Sequence, residues 1–275
     1  MKRFINQAPR RVPGIILGIL PFVLIGIIYL MTSDARLALN PNDKLLPGVG
    51  QMWDSFSQMA LQPSKRTGEY LLWTDTYNSL IRLLTGIFIA ASLGLILGVL
   101  LGSLPYLYAG FSPLLTAVSL IPPLAILPIL LILFGVGEVS KIILIAIGIT
   151  PFIARDIQRS SQEIPREQLI KAQTLGANSL QILIRVIVPQ IMPKLIDAVR
   201  LSLGAAWLFL IAAEAIASTN GLGYRIFLVR RYMAMDIIIP YVIWITLLSF
   251  LIDWLLATIN RMLYPWYFKE QIQHD

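Results

Sequence analysis

Cysteine is absent from the 275 residues, and histidine occurs once, as His274 beside the C-terminus. The first absence excludes disulfides, thiolate metal sites and cysteine nucleophiles. The second leaves a lone imidazole at the chain end, where it cannot organise a catalytic or metal centre. Charge is scarce as well: 13% of residues are charged, against 57% hydrophobic, far too apolar a balance for a soluble domain. The phosphate-cradling pattern G-x-x-x-x-G-K-[ST] is missing, so the chain does not itself hold ATP in that way. There is no low-complexity tract and no solenoid-like repeat.

What is present is a series of apolar runs of spanning length. The first, Val12 to Met31, follows Lys2, Arg3, Arg10 and Arg11; with no cleavage site after it, it reads as a retained first helix. Further runs cover Leu80–Leu104, Phe111–Phe134, Ile142–Ile153, Asp197–Ser218 and Ile237–Met262. Six spans put both termini on the cytoplasmic side. Thirteen Lys and Arg then fall inside and nine outside, the sign that membrane loops follow. The net charge of +7 is accounted for by that bias and calls for no nucleic acid. Residues 1–70 form a first helix and an outer segment, with Trp53, Tyr70 and Trp73 as interfacial aromatics and a surface helix after Leu45–Val49. Residues 71–267 form the core, and 268–275 a cytoplasmic tail.

Two spans carry local signals. Gly86, Ala90, Gly94, Gly98 and Gly102 recur every fourth residue, the spacing that lets two helix backbones approach; Arg82, near the outer end of the same run, has the length to snorkel to headgroups. Pro122, Pro123 and Pro128 interrupt the third run and free backbone carbonyls that need protein or water partners. Between the fourth and fifth runs lies the polar stretch Pro165–Pro193. Lys171, Ala172, Gln173, Thr174 and Leu175 lead to Gly176 and Ala177, and Val186, Val188 and Pro189 follow. The pattern predicts two short helices hinged at Gly176, on the cytoplasmic side by virtue of Arg166, Lys171, Arg185 and Lys194, and shaped to enter a groove on a soluble partner.

This stretch resembles the coupling loop of binding-protein-dependent ABC permeases: E-A-A, three residues, G, nine residues, I-x-L-P. Gly176, Val186, Val188 and Pro189 match in spacing; Ile170 and Lys171 replace the opening Glu and first Ala, and Ala172 is retained. From about Leu71 to Tyr267 the chain is similar to the branch serving nitrate, sulfonates, taurine and bicarbonate. The similarity rests on Ser79-Leu80-x-Arg82, on Ile121-Pro122-Pro123-x-Ala125-x-x-Pro128 with Phe134-Gly135-x-Gly137-Glu138-x-Ser140-Lys141, and on Ala213-Glu214 with Gly221-Leu222-Gly223-Tyr224. It implies an all-α integral membrane protein, the six-helix transmembrane subunit of a type I ABC importer with cytoplasmic coupling helices, in a bacterial inner membrane and surrounded by lipid. It also implies a second permease copy as a homodimer and a periplasmic or lipid-anchored solute-binding protein. Separate cytoplasmic ATPase subunits would bind the ATP and Mg, with no cofactor in this chain. An ion-coupled transporter or channel is the alternative, although paired broken helices in two halves are not seen. A membrane enzyme lacks a His–Ser or paired-Asp centre.

Glu214 sits inside an apolar run, where a carboxylate is expensive. Helical spacing puts Trp207 and Ser218 on its face. Either the carboxylate is tied to Arg82, the outer turn or backbone, or it contacts a cationic solute beside the Trp207 ring. With Pro122 and Pro123 these residues are the candidates for a translocation path. The tract Gly221–Asp236 also resembles a sub-branch linked with urea- or guanidine-like compounds, so anions and guanidinium-type cations both stay open.

Overall fold

The computed structural model describes residues 11–40, 43–65 and 68–268. Lys2, Arg3, Arg10, Lys269 and His274 lie outside them, and so does the tail beyond Phe268. Among the described residues every regular element is helical: α1 (Arg11–Leu39), α2 (Val49–Leu61), α3 (Leu71–Ser103), α4 (Pro105–Ser119), α5 (Pro123–Phe134), α6 (Glu138–Gln162), α7 (Arg166–Thr174), α8 (Ser179–Ile182), a π-helical turn (Leu183–Ile187), α9 (Val188–Ala217), α10 (Leu222–Arg230) and α11 (Met235–Leu263).

Among the described residues four helices are long and apolar enough to cross a membrane: the Ile16–Leu39 part of α1, α3, the continuous rod Ser179–Ala217 and α11; the bent pair α4–α5 makes a fifth crossing if taken as one span. The sixth segment of the sequence reading is α6. Its 25 residues are about 37 Å long, but Glu138 and Lys141 at one end and Arg155, Asp156 and Arg159 at the other keep its composition below that apolarity. It is instead enclosed by protein, packed between α3 and α9 with Leu144, Ile145, Ile149, Ile153 and Ile157 fully buried.

Several sequence-read boundaries are corrected. The second span begins at Leu71, not Leu80. The third run is two helices at 92°, beginning at Pro105. The break falls at Pro122–Pro123, where two prolines remove consecutive N–H donors and push the preceding residue out of the helical region; Pro128 stays inside α5 without ending it. The fourth span extends beyond Ile142–Ile153 in both directions, because charges at its start find partners in the protein. The fifth does not start at Asp197: Pro189, exposed in the first turn of α9, is tolerated there, and the chain runs unbroken from α8.

The small-residue stripe of α3 makes the centre of the bundle. A Cβ on Gly98 would stand 2.6 Å from the Ile157 Cβ and 2.7 Å from the Ala154 carbonyl oxygen; Gly86, Gly94 and Gly102 meet Ile145, Ile153 and Ser161 as closely. On its other side α6 receives Phe209 of α9 over Gly148. Gly98→Leu is therefore expected to overpack the α3–α6 contact and cost about 1–3 kcal/mol. Gly110→Leu, with open space around its added Cβ, should leave stability unchanged; thermal unfolding of both variants in detergent checks the contrast.

The pole opposite α7 is closed by α2, which lies across the starts of α3 and α11. Trp73 donates to the Ala60 carbonyl (3.0 Å) and meets the Trp244 ring edge-on at 5.7 Å, while Ser55 donates to Asp236 (2.6 Å). Trp53 and Tyr70 are exposed on that surface. Helix α1 touches this end through Tyr29 and Ser33, which donate to the Pro47 and Leu46 carbonyls (2.8 and 3.1 Å). Its remaining apolar surface is exposed all round, as in a helix solvated by lipid.

Candidate functional site

Two sites sit at opposite poles. At the first, α7 ends in a reversal. Leu175 is followed by Gly176 at φ +83°, a conformation that a Cβ disfavours. Behind it the Ala177 N–H donates to the Ala172 carbonyl (3.0 Å) and the Gly176 N–H to the Gln173 carbonyl (2.9 Å), closing the free carbonyls of the helix end. The chain restarts through a reciprocal cap: Asn178 Oδ1 accepts the Gln181 N–H (2.8 Å), and Gln181 Oε1 accepts the Asn178 N–H (3.0 Å). Glu167 in the first turn of α7 and Lys171 in its last match the helix dipole.

Ala172 and Ala177 are half-buried against the body, whereas Lys171, Gln173, Thr174, Leu175 and Gly176 are exposed. The hairpin is held from behind by Gln190, which donates to Gln168 (3.0 Å), and by Lys194 on Glu163 (3.1 Å). Its tip is apolar. Leu175 is 87% exposed, and Ile170, Leu180 and Ile184 are exposed beside it; apolar side chains grouped on a free surface mark a contact site. Sequence reading located the hinge but missed Leu180 and Ile184. The Asn178-x-x-Gln181 capping signature was the signal that would have started a helix there and turned those two outward. It expected a separate second helix, and this is corrected: α8 passes through the π turn directly into α9.

At the other pole α3, α6, α9 and α10 meet on charges. Arg82 is 2% exposed and Glu214 fully buried. Arg82 Nη1 donates to Glu214 Oε1 (2.7 Å) and to the Asn220 carbonyl (3.1 Å); Nη2 and Nε donate to Glu138, Nη2 at 2.9 Å. The snorkelling expected of Arg82 is thus corrected: its guanidinium is itself buried and is engaged by Glu214, Glu138 and the Asn220 carbonyl instead of extending outward. Glu214 Oε1 also accepts from the Ser79 hydroxyl (2.8 Å), and Oε2 accepts the Gly223 N–H (2.8 Å). Alongside, Asp75 accepts from Arg225 (2.8 Å) and the Gly221 N–H (2.9 Å), and Lys141 donates to Glu138 (3.1 Å). The cluster thus balances Arg82, Lys141 and Arg225 against Asp75, Glu138 and Glu214. Buried charges are tolerated when paired and hydrogen-bonded in this way.

The glycines beside Glu214 are part of that design. Gly221 has φ +114°, and a Cβ on it would lie 2.5 Å from the Glu214 carboxylate. Gly135 also has positive φ (+74°) but open space around it. Gly135→Ala is expected to cost about 1–2 kcal/mol from the backbone alone. Gly221→Ala adds the displacement of a buried carboxylate and should cost clearly more; parallel denaturation curves give the difference.

The remaining path candidates separate. Trp207 is buried on α9, and its Nε1 has no hydrogen-bond partner among the described residues. Ser218 ends α9 and donates to the Asn220 carbonyl (2.6 Å), on the edge of the charge cluster. The Pro122–Pro123 break lies away from both: Ser119, just before it, accepts from Arg155 (3.0 Å) toward the α7 pole. Among the described residues no three His, Cys, Asp or Glu side chains converge as metal ligands.

Residues 78–265 match the model of the family described as binding-protein-dependent transport system inner membrane component. The taurine transport system permease protein TauC of Escherichia coli K12 is 33% identical over 200 residues, 73% of each chain. The putative aliphatic sulfonates transport permease protein SsuC of Bacillus subtilis is 30% identical over 68% of each chain. The nitrate import permease protein NrtB of Synechocystis is 27% identical over 80% of this chain and 81% of its own. Among solved structures, a chain of the MetNI methionine ABC transporter in inward-facing conformations superposes with a TM-score of 0.63, 24% identity, and coverage of 72% of this chain and 98% of that one; at that identity the likeness concerns the fold.

Proposed function

We propose a transport mechanism from one premise: the chain belongs to the family of binding-protein-dependent transport system inner membrane components. It is the multi-pass permease subunit of an ABC importer for a small solute, and it is not itself the ATPase, which is a separate subunit. The ion-coupled alternative is set aside by that membership. The observation that carries the mechanism is the apolar-tipped reversal at Gly176, fixed to the bundle from behind and free in front.

In this reading Lys171–Ala177 and Leu180 insert into a groove on a cytoplasmic ATPase that holds ATP and Mg. Pro189 sits where the second limb joins α9, so rigid-body motion of the partner is delivered to a spanning helix. The energy delivered is the difference in contacts between two states of the complex. The α7 pole and both termini are cytoplasmic, the α2–α10 pole receives the solute-binding protein, a second copy of the chain completes the path, and lipid covers the apolar exterior. The α4–α5 bend at Pro122–Pro123 and the α9 face near Trp207 and Ser218 line the path. Glu214 serves as the anchor of the outer turn, because both its oxygens are already engaged. The names of the similar permeases, for taurine, aliphatic sulfonates and nitrate, favour an oxyanion solute over a guanidinium-type cation.

Reconstitution tests the reading: the chain, the ATPase captured through its Gly176 segment and the cognate binding protein, in liposomes, should import solute only with ATP. Uptake indifferent to ATP would reject it.

A further inference from the structure

Helix α4 has no buried residue, and its two sides differ. One turns Leu107, Phe111 and Leu114 to an apolar cleft shared with α3 and α6. The neighbouring side carries Tyr108, Ser112 and Thr116, which face Arg155, Asp156 and Arg159 of α6 across a separate cleft of about 480 Å³. A spacing of four aligns the three hydroxyls in a row along about 12 Å of the helix. Packing does not require them there, since the apolar side already makes the contact with α3.

The charges of this cleft are unequal. Arg155 reaches across to Ser119 (3.0 Å). Arg159 meets Glu163 at 3.4 Å, but Lys194 holds the same carboxylate at 3.1 Å, so that pair cancels. Two guanidiniums then stand against the single carboxylate of Asp156. Arg155 lies about 26 Å along α6 from Glu138, close to the edge of a hydrocarbon layer of about 30 Å. Ionisable and hydroxyl groups grouped at that depth on spanning helices face water in preference to lipid.

Resting on the permease reading, we infer that this cleft is the last polar step of the path on the α7 side, and that it takes a small oxyanion of the sulfonate or nitrate class. The two guanidinium forks and the Tyr108 and Ser112 hydroxyls match the oxygens of such an anion, the Thr116 proton being donated to the Ser112 carbonyl (2.9 Å), whereas a guanidinium-type solute would meet two like charges. The groups lie in an open cleft, so the hold is weak, as a step that must release its ion requires.

The chain has no cysteine, so Ser112→Cys introduces a single thiol. The permease–ATPase complex carrying it is placed in phosphatidylcholine nanodiscs. It is treated with sulfonatoethyl and with trimethylammonioethyl methanethiosulfonate, each rate normalised to a free thiol. The anionic reagent should react about five- to tenfold faster than the cationic one, the bias expected of about one net positive charge at hydrated contact range. Arg155→Gln with Arg159→Gln should bring the ratio to about one, and millimolar methanesulfonate should protect the thiol. Labelling by neither reagent would place Ser112 against lipid and overturn the inference. So would a cationic preference, a ratio that the double variant leaves unchanged, or protection given by added phosphatidylglycerol and not by methanesulfonate. ATP-driven uptake by the parent complex in liposomes with the cognate binding protein separates the two failures: if it persists without the charge bias, only this inference falls, and if it is absent, the permease reading itself is at fault.

Discussion

Gly176→Pro is expected to reduce ATP-driven uptake to below a tenth of the parent while the chain remains inserted. The backbone there has φ +83°, and proline is fixed near −65°, so the reversal cannot form with its present geometry. Proline also removes the N–H that closes α7 on Gln173 (2.9 Å). The damage stays local because Gly176 is exposed, with no atom within 4 Å of an added Cβ. Leu175 and Ile170 would leave their positions relative to Leu180, and the apolar tip would lose its shape. Gly176→Ala keeps the N–H and carries only the left-handed strain of about 1–2 kcal/mol, so its phenotype should be intermediate. Solute imported per ATP hydrolysed, measured across the series, reads coupling directly. Parental coupling in the proline variant would remove the assignment of this segment.

Arg82→Gln is expected to have the largest effect on stability, about 3–5 kcal/mol. It strips the buried Glu214 of its only cation among the described residues and leaves the cluster with an unbalanced negative charge. Glu214→Gln unbalances the same cluster in the other direction. The double variant restores neutrality and should cost well below the sum of the two singles, the coupling expected of contacting charges. Glu138 is the contrast: its side chain is 57% exposed, water screens it, and its replacement should cost less. Unfolding of the four proteins in one detergent gives the coupling energy, and strict additivity would show that Arg82 and Glu214 do not act as a pair.

Local chemistry explains which features were legible in the sequence. The hinge at Gly176 and the stripe from Gly86 to Gly102 are backbone statements that residue identity makes outright. The tie of Glu214 to Arg82 was one of two readings because the residues are 132 positions apart, and no local pattern records a contact at that range. Arg82 was misread for the same reason: near a span end, length alone fits either a headgroup or a buried partner. The boundaries of the third and fourth spans failed because apolarity was taken as the measure of a span, whereas α6 is sheltered by neighbours and keeps charges at both ends. The row Tyr108, Ser112, Thr116 looked unremarkable until its facing helix was known.

The uninterrupted helix from Ser179 to Ala217, 39 residues and about 58 Å long, joins the two poles without an intervening joint other than the π turn. Its far end carries Glu214, which fastens the start of α10 by accepting the Gly223 N–H. A tilt of only about 5° pivoted at the base would sweep that end through about 5 Å, more than the reach of the hydrogen bonds gathered there. A rod of that length magnifies any small rocking at its α8 end, and the contacts of Glu214 lie where the displacement is largest.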